Sequence, residues 1–319
     1  MNLSIALATY NGAAYLKEQL ESIAAQTRTP DELVISDDQS TDDTLRLIVE
    51  FAASADFPVH VSVNESNLGT AKNFEKAISL CRGDVILLSD QDDVWHSDKL
   101  KSIECIFAAR PQLSLVFSNA ELVDETLSRF DESLFDLVDF NRRKQRLVRS
   151  GRALDVQLRE NLVLGCTMAF RANLKELVLP ISAEGPLVHD GWIMLLIAAV
   201  GEIDFIDRPL VKYRQHAAQQ CRASDGPTWH DIITSPKIDR ACRVRQANQL
   251  NEVFERLVAY GLNQDKERLL RDKVMYLHAR ARLPVPKFQR SRSVGKEVGN
   301  RPYHRFSRGW LNGAKDLPA

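Results

Sequence analysis

Between Leu3 and Leu88 four short apolar runs alternate with segments of helical periodicity, and no other feature constrains the fold as strongly. Leu3 to Ala8, Glu32 to Ser36, Val59 to Val63 and Asp84 to Leu88 read as strands. Helices are expected over Ala14 to Ala25, onward from Ser40-Thr41-Asp42-Asp43, and over Gly69 to Ser79. The hydroxyls and carboxylates at 40–43 suit the exposed N–H groups of a first helical turn. Strands that are apolar throughout and joined by helices imply a mostly parallel sheet covered on both faces. The expected class is therefore α/β, a Rossmann-like sheet flanked by helices. Ligands of such sheets bind beyond the carboxyl ends of the strands. That rule places Thr9 to Asn11, Asp37 to Ser40, Asn64 to Gly69 and Asp90 to Trp95 on one rim.

The remainder is less regular. From Leu113 to about Val211 strands mix with an expected helix from Gly191 to Ala199, and Ile203 to Ile206 and Pro209 to Val211 are strand-like. Between Arg240 and about Arg282 apolar residues recur at three- and four-residue spacing (Leu250, Val253, Leu257, then Leu269, Val274, Leu277), which reads as helices. After Leu283 the chain becomes rich in proline, glycine and Lys/Arg, with Tyr303, Phe306 and Trp310 interleaved. The expected organisation is a catalytic domain over 1–216, with a nucleotide-binding half over about 1–95 and an acceptor half over 96–216. A helical extension over 217–282 and a basic tail over 283–319 follow. Such a tail suits an anionic membrane surface; a nucleic-acid patch uses the same ingredients, and a solvated tail is the plain alternative.

Composition narrows the function. The net charge of −1 favours neither an acidic nor a basic partner, and no nucleic acid is expected. The five cysteines are odd in number, widely spaced and without a C-x-x-C, which excludes a disulfide framework or structural zinc site and suits a reducing compartment. The opening MNLSIALATY lacks the pattern of a signal peptide, and Ile193 to Val200 is too short to cross a bilayer. The expected location is the cytoplasm, with a peripheral position on the inner face of the cytoplasmic membrane through the tail.

The segment Ser89-Asp90-Gln91-Asp92-Asp93-Val94-Trp95 carries the chemistry. Its three carboxylates follow a purely apolar strand, and such a cluster repels itself unless a cation neutralises it. A few oxygen ligands, with room for water and phosphate oxygens, match Mg²⁺ or Mn²⁺. A solvated acidic turn is the bland alternative, since Asp is common in turns. Asp37-Asp38 after another strand, His189-Asp190 before an apolar helix, and Tyr213-Arg214-Gln215-His216 weigh against that alternative.

These motifs carry a resemblance. LATYNGAAYLKEQLESIAAQT, ISDDQSTDDT, NLGTAKNFEKAI, LLSDQDDVW, HDGW and YRQH, in this order across about residues 3 to 216, resemble glycosyltransferase family 2, and most closely its bacterial rhamnosyltransferase-like members. The resemblance implies a GT-A fold and an inverting transfer from a nucleotide-sugar to a saccharide or lipid-linked saccharide, with dTDP-rhamnose the favoured donor. It implies that Thr9, Tyr10, Asn11, Asp37, Lys72, Asp90 and Gln91 hold the nucleotide, that Asp92 and His216 bind the metal, and that Asp190 is the base. Trp95, Gly165, Cys166 and Thr167 would lie on the acceptor side, with Cys166 a buried filler rather than a nucleophile. Two positions depart from the wider family: His189 stands where Glu is common, although histidine is usual in the rhamnosyltransferase-like group, and Gln39 stands where Gly is more frequent. A UDP-hexose donor is the nearest competitor. A non-catalytic nucleotide-sugar or glycan-binding module has no need of a base, and a phospho-accepting signalling domain has no need of the late Asp190.

Overall fold

In a computed structural model the described residues are 1–159, 161, 163–216 and 240–281. The basic tail, its expected contact with a membrane, and Cys221 lie outside them. The first half runs β1 (Leu3–Thr9), α1 (Leu16–Ala24), β2 (Glu32–Asp37), α2 (Thr44–Ser54), β3 (Val59–Val63), α3 (Thr70–Leu80) and β4 (Val85–Ser89). β3, β2, β1 and β4 lie side by side, all parallel. β1, β2 and β4 are buried at nearly every position, as strands covered on both faces must be, whereas β3 is the half-exposed edge.

The chain then continues through β5 (Val94–Trp95), α4 (Lys99–Ala109), β6 (Leu113–Val123), β7 (Arg129–Ser133), α5 (Leu134–Leu137), α6 (Arg142–Arg149) and α7 (Ala153–Gln157). β8 (Met168–Arg171), α8 (Lys175–Val178), α9 (His189–Val200) and β9 (Glu202–Arg214) complete it. β8 inserts antiparallel between β4 and β6, and β6 pairs parallel with β9, so one sheet of order β3-β2-β1-β4-β8-β6-β9-β5 spans both halves, with β7 on β6. The two strand-like pieces around Arg208 are a single strand. Its register against β6 slips between Ser118 and Asn119, where Pro209 lacks the N–H that a regular ladder requires.

α9 is buried on every side from His189 to Ala199, and Trp192, Ile193, Met194, Leu196 and Ile197 are fully enclosed. A helix apolar all round is a core helix, and each such side chain contributes about 1.5–3 kcal/mol by burial. Its cover includes α10 (Arg240–Ala259) and α11 (Gln264–Ala281), whose Ala247, Leu250, Val253, Leu257, Leu270 and Leu277 belong to the same core. The Gln249 side chain exchanges two bonds with the Leu187 backbone, both 2.8 Å. Arg256 donates to the Pro180 carbonyl at 2.8 Å and lies over the Trp192 ring. At the far end Lys266 donates to the Ala199 carbonyl at 2.6 Å, a cation at the negative end of the helix. Among the described residues no helix is long and apolar enough to cross a membrane.

Candidate active site

Beyond the carboxyl ends of β1 and β4 lies a cavity of about 470 Å³ lined by Thr9, Tyr10, Asn11, Asp38, Asp90, Gln91, Asp92, Gly165, His189, Asp190 and His216, among others. The rim at the ends of β1 and β2 is tied together by its own carboxylates. Asp37 accepts from the Thr9 hydroxyl at 2.8 Å and from the Ser40 hydroxyl at 2.6 Å, so its carboxylate fixes the rim from within and does not face the cavity. Asp38, which the motif reading did not single out, lines the cavity and accepts from the N–H groups of Leu68 and Gly69, both at 2.8 Å. Gln39, between this rim and Ser40, has φ +66°, a left-handed conformation in which glycine is unstrained. The preference for glycine at this turn thus has a backbone cause.

Gln91 accepts from the Tyr10 N–H at 2.8 Å and donates to the Tyr10 carbonyl at 3.0 Å, locking the acidic segment to the end of β1. Gly12 is required for that lock, because a Cβ there would stand 2.2 Å from Gln91 Oε1. Asn11 accepts from the Thr41 N–H at 2.8 Å.

The acidic segment has two faces. On the outer one, Asp92 Oδ2 lies 2.8 Å from His216 Nε2, and both residues line the cavity. Arg214, fully buried, holds this face by donating to the Asp92 carbonyl at 2.8 Å and to the Glu125 carbonyl at 2.6 Å, with an ion pair to Glu18. On the inner face, ligand atoms of Asp90, Asp93 and Cys166 lie within 4.8 Å of one another. That trio does not suit a hard divalent cation. Burial holds the Cys166 thiol well above its usual range, hence protonated, and thiols suit softer metals. A resident cation is also present: the buried Lys99 ammonium, which donates to the Cys166 carbonyl at 2.5 Å and sits 3.6 Å over the Trp95 ring. Burial lowers the Lys99 pKa to about 7 while the nearby Asp93 and Asp90 oppose the fall. Asp92 and His216, with oxygen and imidazole donors open to the cavity, fit Mg²⁺ or Mn²⁺.

Asp190 sits in the first turn of α9 and accepts from the Gly165 N–H at 3.2 Å and from the Gly191 N–H. Burial raises its pKa to about 6. Asp90 is pushed up as well, by burial and by Asp93, Asp92 and Asp190. Besides Asp37, four residues implied by the motifs do not line the cavity. Lys72 pairs with Glu75 at 2.7 Å along α3. Trp95 is buried beneath Lys99. Cys166 and Thr167 are wholly enclosed, because the short 3₁₀ turn of Gly165–Thr167 directs them into the core. Lys99 is the positioning residue that motif reading missed, and Arg214, named within the YRQH motif, is given its role only by the fold; a lysine in a helix reads as solvated until the fold closes over it.

One cavity of this α/β fold thus brings together an acidic strand end faced by a histidine and a carboxylate whose pKa burial raises. Residues 4–153 match the family model for glycosyl transferase family 2. The chain is 32% identical over 233 residues to the dTDP-rhamnosyl transferase RfbG of Shigella flexneri, covering 68% of this chain and 74% of that one. It is 25% identical over 277 residues to an uncharacterized glycosyltransferase of Nostoc, covering 85% and 80%. This chain belongs to glycosyl transferase family 2. Among solved structures it resembles S. aureus TarS residues 1–349 in complex with UDP-GlcNAc, with a TM-score of 0.62 at 18% identity over 99% of this chain and 88% of that one. It also resembles a mannosyltransferase from Pyrobaculum calidifontis in complex with GDP-Man and Mn²⁺, with a TM-score of 0.54 at 17% identity over 99% and 85%. The fold is the GT-A fold.

Proposed function

We propose that this enzyme is an inverting, metal-dependent glycosyltransferase that moves a sugar from a nucleotide diphosphate to a hydroxyl of a saccharide or lipid-linked saccharide. Rhamnose from dTDP-rhamnose is the favoured donor, supported by the likeness to the Shigella enzyme. The observation that carries the reading is the convergence of the Asp92–His216 pair and the Asp190 carboxylate on one cavity.

In this reading Thr9, Tyr10, Asn11 and Gln91 form the nucleotide-side wall, and Asp37 supports it through the turn it holds. Asp92 and His216 would hold Mg²⁺ or Mn²⁺, which when bound supplies positive charge where the diphosphate leaves. Asp190 takes the proton from the acceptor hydroxyl as its oxygen attacks the anomeric carbon on the face opposite the diphosphate, so the anomeric centre inverts. The two N–H groups that Asp190 accepts from aim its carboxylate. With a pKa raised by burial to about 6, it is ionised at neutral pH yet a stronger base than an ordinary aspartate.

Calorimetric titration with dTDP and UDP, with and without Mn²⁺, tests the reading. Metal-dependent binding of one nucleotide, weakened by about a hundredfold in Asp92→Ala, is the expected result. Binding that ignores both metal and Asp92 would remove the catalytic reading and leave a nucleotide-sugar-binding module. Tighter binding of UDP than of dTDP would move the donor to the UDP-hexose class.

A further inference from the structure

The mechanism above leaves His189 without a task. This residue opens α9 and is 6% exposed, yet neither ring nitrogen has a hydrogen-bond partner among the described residues. Its ring lies flat against Phe74 of α3, the centroids 3.9 Å apart and the planes 17° from parallel. With Phe74, Gly165 and Asp190 it forms part of the cavity wall. An unmatched buried polar group costs about 1–3 kcal/mol. A phenylalanine here would fill the same space without that cost, so packing does not account for histidine.

The chemistry of the ring narrows what it can meet. Burial takes the His189 pKa down to about 3, so the imidazole is neutral, with one nitrogen donating and the other accepting. A neutral ring has no charge to offer a phosphate. A hydroxyl, which also both donates and accepts, is its match. Gly165 bears on access: a Cβ built there would stand 2.5 Å from His189 Nε2. Gly165 is not in a left-handed conformation, so the requirement is for space beside the ring edge. Phe74 belongs to α3, which begins beside Gly69 and the turn that Asp38 ties to the nucleotide side of the cavity, so the ring approaches from the donor side.

We infer that His189 and Gly165 form a hydroxyl subsite for the donor sugar, in which the imidazole edge, held flat by Phe74, hydrogen-bonds a hydroxyl of the sugar carried on the nucleotide diphosphate. The inference rests on the glycosyltransferase reading of the cavity and adds a determinant of sugar specificity to it. His189 binds the sugar and takes no proton from the acceptor; that role stays with Asp190.

The test compares each nucleotide-sugar with its own nucleotide: dTDP-rhamnose against dTDP, UDP-GlcNAc against UDP, and GDP-mannose against GDP, all with Mn²⁺ by calorimetry. For the pair in which the sugar adds affinity to the wild type, His189→Phe should weaken the nucleotide-sugar about tenfold and leave the nucleotide unchanged. His189→Gln, which keeps a donor and an acceptor, should recover part of the loss. Gly165→Ala, which keeps the imidazole but crowds and displaces its edge, should reproduce the loss if His189→Phe does not fold. Equal weakening of nucleotide and nucleotide-sugar, no change in either, or no sugar contribution in any wild-type pair would overturn the subsite. Failure of the wild type to bind any nucleotide would instead overturn the glycosyltransferase reading beneath it.

Discussion

The two faces of the Asp90–Asp93 segment use the same side chain for opposite ends. On the cavity face Asp92 meets His216 and stays accessible to a ligand. On the inner face Asp93 is fully buried, accepts from the Arg214 N–H at 3.1 Å, and shares its surroundings with the Lys99 ammonium, the Cys166 thiol and the Trp95 ring. Burial brings Lys99 and Asp93 alike to a pKa of about 7, so the inner groups share protons in a closed pocket, whereas the outer pair faces the cavity. The same acidic run thus has an enclosed side and an open one, and the surroundings of each carboxylate set its state.

Substitutions on the two faces should separate in what they damage. Asp190→Asn, on the cavity side, should lower kcat by about a thousandfold while nucleotide binding is retained, because a general base contributes ~10²–10⁴; steady-state rates and calorimetry on one preparation would show the split. Lys99→Met, on the inner side, should destabilise the fold by about 1–3 kcal/mol by leaving the buried Cys166 carbonyl without its donor, read as a shift in the urea midpoint. An unchanged midpoint would mean that the inner face needs no such donor, and the contrast between the faces would collapse.

The pH dependence sharpens the same contrast. A base must be ionised, and Asp190 is raised to about 6, so kcat should fall about tenfold per unit below that pH and level off above it. Loss of the limb in Asp190→Asn would tie it to this group. The smallest effect is expected at Gln39, whose φ of +66° is relieved by glycine. Gln39→Gly should stabilise by about 0.5 kcal/mol, the relief of left-handed strain less the entropy of glycine, measurable as a slight rise in Tm.

How much of this was legible follows from the signals themselves. β1, β2 and β4 could be read because strands covered on both faces are apolar throughout. The slipped register of β6 on β9 and the insertion of β8 could not, since pairing order leaves no trace in a strand's own composition. α4 carries an ordinary helical spacing of Leu100, Ile103 and Phe107, and what could not be read was the burial of Lys99 at its first position. In the site, motif spacing pointed to Asp92, Asp190 and His216, which line one cavity. It gave no means of separating Asp37, which bonds the rim from within, from Asp38, which faces the cavity. The enclosure of Trp95 and Cys166 is likewise shared with Lys99, a residue that enters no motif, which bonds the Cys166 carbonyl and lies over the Trp95 ring.

The grip of α10 and α11 on α9 has a consequence for how this enzyme can be divided or recombined. Both ends of the helix that carries His189 and Asp190 are fastened by residues that never meet a substrate, Gln249 at one and Lys266 at the other. A chain severed after the last motif residue would expose the apolar backing of α9 and release its anchors. A chimaera that grafts the catalytic motifs onto another member's C-terminal helices would inherit a loosened base. With Asp190 as the proposed base, drift in α10 would alter turnover from the rear of the molecule while every cavity residue stays the same.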